Sequence, residues 1–583
     1  MLPEPIAPVP GEDLRPGEEL LAALARIDGW GPRGWQELLG AWRFPAVDLA
    51  LEEREREPLA AGGRLLLGVV WRAPRWARPE DAGDAVAIAD WLLRQAHAAL
   101  LPRLGVAAST IDPGDAVRAT NAAFFHGRDL CLRLLLQPPQ SGLGIDSERA
   151  AAALGQLLRW ARHLPRQRAA LAAHRQSLRV QRALRAALPA RGLVAFLADG
   201  ARLARAADGG PDPGCQPLRA PEELAVTIDL GPLGSFRGLG IRQGITAIAG
   251  AAFHGKSTLL AAILAGTEDR PPGDGRERVV SLPETLPVTA DDGRPIHCQD
   301  LSAFFPALPQ QDARRVCTAR ASGATSMAAA ILQGAAAGAR VLLLDEDTAA
   351  ANFLALPPAM RRLLGSDAQG LTLAEALPAL KQAGLSTIAV VGACTALLAV
   401  ADRVIGMHDF QPQDWTERAR ALAGGRPGRA APLVVPARCL CAAPDALLGP
   451  GHVLPVAVED PTLPRLRQRR LDLRRCGWTL TPALTRGALL GAAWCCRLAG
   501  GQCTLAELAA RYRERLAAGG PAALDPFHDD FHAVAPWLLV HAVLERWPEP
   551  LCGEPTPPPA PESPARDRSP RGSHPRSAGP RAR

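Results

Sequence analysis

The clearest chemistry in this 583-residue chain lies in nine consecutive residues, Gly250-Ala-Ala-Phe-His-Gly255-Lys256-Ser257-Thr258. They follow an apolar run at 245–249 and open an apolar helical run at 256–264, the strand–loop–helix setting in which G-x-x-x-x-G-K-[ST] cradles phosphate. Backbone N–H groups of such a loop and of the helix start converge on anionic oxygens. Lys256 offers a compact ammonium to the β- and γ-phosphates, and the Ser257 hydroxyl is a ligand for Mg²⁺. Only Lys256 and Lys381 among 66 basic residues are lysine. A planar guanidinium does not fit so small a cradle, which accounts for lysine surviving there. The expected ligand is a nucleoside triphosphate.

A second element ends in three carboxylates. Arg340-Val-Leu-Leu-Leu-Asp345-Glu346-Asp347 reads as an apolar strand that can lie beside the phosphate-loop strand. It would deliver Asp345 to the Mg²⁺ shell and Glu346 to an attacking water, leaving Asp347 with the least defined role. Between the two motifs, Ala321-Ser322-Gly323-Ala324-Thr325-Ser326 precedes an alanine-rich helical run. Small hydroxylated residues at a helix start suit an anion, and they also cap helices.

These residues must be positioned by a larger frame. Short strand-like runs at 245–249, 340–344 and 387–391 alternate with helical stretches, so 216–425 is expected to be an α/β core with a mainly parallel sheet. Residues 1–215 mix helical patterns with strand candidates such as 193–197, an α+β N-terminal domain ending at the breaker-rich 208–217. Residues 426–552 form a smaller C-terminal domain with a helical centre at 504–517. The Pro/Ser/Arg-rich tail 553–583 has too little apolar surface to fold and is expected to be disordered.

Composition narrows the classes. The longest uncharged run of note, 385–401, has 17 residues, short of the ~20 that a membrane helix needs. The first residues lack the basic and apolar regions of a signal peptide. Twelve cysteines are spread over the chain without paired C-x-x-C knuckles, so reduced thiols in a cytoplasmic protein are expected. His528 and His532, four apart, read as exposed turn histidines, and Cys394 as a small buried residue near the nucleotide.

Through these three motifs the chain resembles ABC-class ATPases. Ser322 and Asp345 are 23 residues apart, similar to the spacing of that class's signature serine and second-motif aspartate. It is more similar still to the soluble family of predicted ATPases of the ABC class, through FHGKSTLL (253–260), PGDGRERVV (272–280), ASGATS (321–326) and LLLDEDTAAANF (342–353). Weaker likeness covers ARIDGWG (25–31), LVAFLADGARLAR (193–205), VADRVIGM (400–407) and LTRGALLGAA (484–493). The resemblance implies ATP and Mg²⁺ as cofactors, hydrolysis without an attached membrane domain, and a homodimer. Gly250, His254, Gly255, Lys256, Ser257 and Thr258 would hold the nucleotide, Ser257 and Asp345 the metal, and Glu346 the water. Ser322 and Gly323 would act in trans, with Asn352 near the dimer seam.

The chain departs from the family in three places. The signature lacks the second glycine and the glutamine of the transporter form. Ala251 and Ala252 stand where the close family has glycines. No histidine ends the strand at 387–391, which runs into Gly392-Ala393-Cys394-Thr395; this is a departure from the wider class that the close family shares. Gln299 and Gln310 are candidate γ-phosphate sensors, and slow turnover is expected.

Two arginine-dense stretches, 465–475 and 159–191, make nucleic acid, RNA above all, the leading partner. A mechanical or scaffolding ATPase acting on protein partners is the alternative, with a nucleotide-gated switch of little turnover beside it. A transporter component is disfavoured.

Overall fold

A computed structural model describes residues 14–53, 63–308, 311–365, 370–423, 433–441, 447, 456–466, 469–499, 503–525, 531–549 and 551–553. Gln310, Arg467, His528 and the tail beyond 553 lie outside the described residues.

Near-continuous apolar runs build the N-terminal region. Leu65–Trp71 is buried at every position, and Asp129–Leu136 at all but its ends, because both faces of their sheet are covered. They pair antiparallel within a seven-stranded sheet. Helices Ala82–Gln95 and Ser147–His163 contribute residues such as Trp91, Leu92 and Leu157 to the same core. Helix Arg168–Ala187 then buries Leu171, His174, Leu178, Gln181 and Leu184, spaced three and four apart on one stripe. Arg175 of this helix pairs with Asp84, while Arg182 and Arg185 pair with Asp269. The helix therefore rivets the N-terminal region to the centre of the chain.

The centre holds two sheets. In one, Leu193–Ala198 lies between Ser235–Arg242 and Val279–Ser281, all antiparallel, with Ala225–Asp229 at the edge. A cut at residue 215 therefore falls between strands that pair. The other sheet has the order Thr285–Val288, Val341–Asp345, Ser386–Val391, Ile245–Ala249, Arg403–His408, Gln411–Asp414. It is parallel except at its last pair. The strands read from sequence match these within a residue or two.

Helices Pro482–Ala499, Leu505–Gly519 and Trp537–Arg546 make up most of the C-terminal region. Their Leu489, Leu508 and Val543 share one apolar core with Leu286, Ile331 and Leu342 of the centre. His532, expected on a surface turn, is fully buried. Its ring bonds to the Pro521 carbonyl at 3.0 Å, and its N–H donates to Asn121 Oδ1 at 2.8 Å. The pairing spans the sequence, which is why no local pattern announced it. No helix among the described residues is long and apolar enough to cross a membrane.

Candidate active site

Parallel strands 245–249, 341–345 and 386–391 are adjacent and end together, with Ala249 in register with Val391 and Val390 with Asp345. The loops leaving their carboxyl ends therefore share one crevice, the usual ligand position in open α/β sheets. Gly250 turns the chain there at φ 149°, and a side chain at this position would strike the Met407 carbonyl. Gly255, at φ 89°, starts helix Lys256–Ala265, whose first turn has no side-chain cap. Its N–H groups thus face outward from an uncapped terminus.

Charged and hydroxyl groups gather at this terminus. Lys256 Nζ donates to the carbonyls of Gly250 and Ala251 at 2.8 and 2.9 Å, so the ammonium sits over the loop. Ser257 Oγ donates to Asp345 Oδ2 at 2.8 Å. A hydroxyl and a carboxylate oxygen in contact are hard donors, the set that Mg²⁺ takes. Asp347 turns back, its N–H donating to Asp345 Oδ1 at 3.2 Å.

Glu346 is held in a way the sequence did not announce. Its Oε2 accepts the backbone N–H groups of Gly392, Ala393 and Cys394 at 2.7, 3.0 and 3.2 Å. The donors come from the loop where a histidine was missing, and backbone donors carry no residue signature. Cys394 is half-buried rather than buried and touches Glu346 through its N–H. Burial, with the Glu346 carboxylate nearby, pushes its thiol above the ordinary range. A thiol kept protonated in this way is a poor nucleophile.

His254 braces the phosphate loop from the other side. Its Nδ1 accepts the Asp409 N–H at 2.8 Å and its ring stacks on His408 at 5.4 Å. His254, His408 and Asp409 gather within 4.8 Å. The Nδ1 lone pair is already used by a backbone donor, so that nitrogen is not left as a metal ligand.

Ser322 caps helix Gly323–Ala336, accepting the Thr325 N–H at 3.3 Å. Gly323 sits in a tight spot, since a Cβ there would lie 3.2 Å from both Ala290 Cβ and Asp292 Oδ1. Among the described residues, no hydrogen bond or ion pair joins 322–326 to the phosphate loop of the same chain. Asn352 is exposed. Gln299 is buried, its amide donating to the Asp300 carbonyl at 3.0 Å, so it is not presented to the crevice.

Residues 167–432 match the family model ABC_ATPase, a P-loop domain. An uncharacterized protein of Methanocaldococcus jannaschii, MJ1628, is 33% identical over 186 residues, covering 30% of this chain. This chain spans only 41% of that relative's length. Among solved structures, the ADP conformation of MJ1267, an ATP-binding cassette of an ABC transporter, is 12% identical with a TM-score of 0.22. That alignment covers 32% of this chain and 87% of the cassette.

Proposed function

We propose that this chain, whose residues 167–432 are a P-loop domain of the ABC_ATPase family, binds MgATP and hydrolyses it in a homodimer. The observation that carries the reading is the convergence of Lys256, the Ser257–Asp345 contact and Glu346 at the ends of adjacent parallel strands. Gly250, His254, Gly255 and Thr258 complete the loop that receives the phosphates. When bound, Mg²⁺ supplies charge to the β- and γ-phosphate oxygens. Ser257 and Asp345 hold it, Lys256 exchanges its loop carbonyls for phosphate, and Glu346 orients the attacking water. Ser322 and Gly323 of a second copy complete the site, which accords with their lack of contact with the loop of their own chain.

RNA binding is the second reading, and its surface is narrower than the sequence suggested. Arg175, Arg182 and Arg185 are spent on Asp84 and Asp269, and Arg474 on Asp472. Exposed Arg159, Arg162, Arg166 and Arg168 cluster at one helical corner and favour a phosphate backbone there. The test is Mg²⁺-dependent ATPase activity of wild type beside Lys256→Ala, with and without mixed RNA. Lysine-dependent turnover raised by RNA supports both readings. Turnover that ignores RNA shifts the coupling to a protein partner, and ATP binding without turnover makes the chain a nucleotide-gated switch.

A further inference from the structure

Two thiols outside the phosphate crevice are in contact. Cys298 lies in strand Ile296–Gln299 and Cys317 in strand Val316–Thr318, which pair antiparallel. Their sulfurs stand 3.4 Å apart, and the Cys298 N–H donates to Cys317 Sγ at 3.3 Å. Ile296 pairs with Thr318 and Gln299 with Val316, so His297 and Cys298 together face Cys317 across a bulge. Bulges of this kind re-aim a side chain. Cys298 has φ of 46°, a region that residues other than glycine seldom enter. Such a conformation persists where the surroundings hold it for a purpose. Cys317 is exposed and Cys298 half-buried, so a reagent in solution reaches the pair.

The pair sits at a junction. Ile296, Gln299 and Val316 are buried and anchor both strands. Arg438, itself paired with Glu545, donates to the His297 and Cys298 carbonyls at 3.3 and 3.2 Å. Strand 296–299 is thereby fixed to the C-terminal helices. The other strand leads from Cys317 to Ser322 within five residues, through exposed Ala319 and Arg320. A covalent bond between the two sulfurs would tie the approach to the signature segment onto a strand that is held in place.

We propose that Cys298 and Cys317 form a reversible disulfide by exchange with a low-molecular-weight disulfide, and that this bond slows ATP turnover by restraining Ser322. The effect on turnover rests on the proposed dimer, in which Ser322 must meet the phosphates held by a second copy. Cys317 loses its proton and attacks one sulfur of the reagent, whose S–S bond breaks and releases one thiolate. Cys298 then loses its proton and attacks the Cys317 sulfur, releasing the second. Two protein thiols are oxidised, one small disulfide is reduced to two thiols, and the two protons end on the leaving sulfurs. Partial burial and the Cys298 thiol beside it push the Cys317 thiol above its ordinary 9.0. Thiolate is therefore scarce at neutral pH and the exchange is slow, so the reagent must be in excess.

The test incubates the full chain with excess oxidised glutathione, blocks free thiols with iodoacetamide and digests with trypsin. Cleavage after Arg314 and Arg315 separates the two cysteines. Peptide 316–320 should nevertheless be found joined to the peptide carrying Cys298, and dithiothreitol should release it. Cys298→Ser should stop at glutathione bound to Cys317. Absence of the joined peptide in wild type would overturn the site. MgATP turnover of the oxidised chain should fall several-fold, recover with dithiothreitol, and hold steady in Cys317→Ser treated alike. A joined peptide with unchanged turnover, or an equal fall in Cys317→Ser, would overturn the control of turnover and leave the disulfide alone. A reduced chain that hydrolyses no MgATP would instead overturn the ATPase reading and the control with it, while the joined peptide would still establish the bond.

Discussion

Ser257 Oγ donates to Asp345 Oδ2 across 2.8 Å, although 88 residues separate the two. Parallel strands 245–249 and 341–345, with 386–391 between them, end on one side of the sheet and bring the two together, and the pair is the proposed seat of the metal. Asp345→Asn keeps the shape and the hydrogen bond while removing the charge. The Mg²⁺ concentration for half-maximal ATPase activity should rise by about 10–100-fold, the loss typical when a partner of a metal's ligand shell is changed. A Mg²⁺ titration of wild type and variant reads this directly, and coincident curves would remove Asp345 from the metal shell.

Glu346 has a separate role to test. Its carboxylate is gripped by three backbone N–H groups, and the glutamine carbonyl in Glu346→Gln can accept from the same loop. Binding of MgATP should be kept, while turnover falls by about 10²–10⁴-fold, the contribution of a positioned general base. Fluorescent-nucleotide affinity and single-turnover hydrolysis, measured together, separate the two effects. Wild-type hydrolysis by this variant would show that another group orients the water.

The C-terminal helices bear on the signature segment through buried charge. Arg438 and Glu545 form a two-point pair at 2.8 Å, each 2% exposed, and Arg438 also donates to the His297 and Cys298 carbonyls. Arg546 pairs with Asp291 at 3.0 Å, whose N–H donates to Ser326 Oγ in the signature helix. Arg438→Ala strands a buried carboxylate and should cost about 3–5 kcal/mol. Arg438→Met with Glu545→Leu should cost much less, because neither charge is then buried alone. Thermal melts of the three chains check the order.

The same cluster sets a pH dependence. Burial, despite Glu545 beside it, holds His541 below its ordinary value of 6.5. Burial alone would raise Glu545, but Arg438 and His541 overcome it and hold the carboxyl far below its ordinary 4.5. Both folded values are depressed, so the stability each gives is present above its ordinary value and lost as pH falls below it. The melting temperature should drop below about pH 6.5 and again below 4.5. His541→Gln should flatten the first step and leave the second.

The phosphate loop was legible in the sequence because its chemistry is local: nine residues hold the glycines, the lysine and the hydroxyls that one anion needs. Strand ends at 345 and 391 were legible because apolar runs stop abruptly at charged or small residues. What escaped was long-range or carried by the backbone. The amides of Gly392–Cys394 look like any other three residues, and nothing near 208–217 says that Gly214 and Cys215 line a cavity with Thr258. Arginine density misled where the residues that neutralise it lie elsewhere, as for Arg175 on Asp84 and Arg182 on Asp269.

A dimer with composite sites makes a prediction that a monomeric ATPase cannot meet. Lys256→Ala destroys the phosphate loop and spares the signature. Ser322→Arg does the reverse at an exposed position, at a cost of about 1 kcal/mol for the lost helix cap. Each variant alone should be inactive. If the two are unfolded together, refolded and allowed to assemble, half the dimers are mixed and each mixed dimer holds one complete site. The mixture should recover roughly a quarter of wild-type turnover under two-fold symmetry. Recovery must also depend on protein concentration, because diluted chains separate. A mixture as inactive as its parts would mean that Ser322 serves its own chain or only caps its helix.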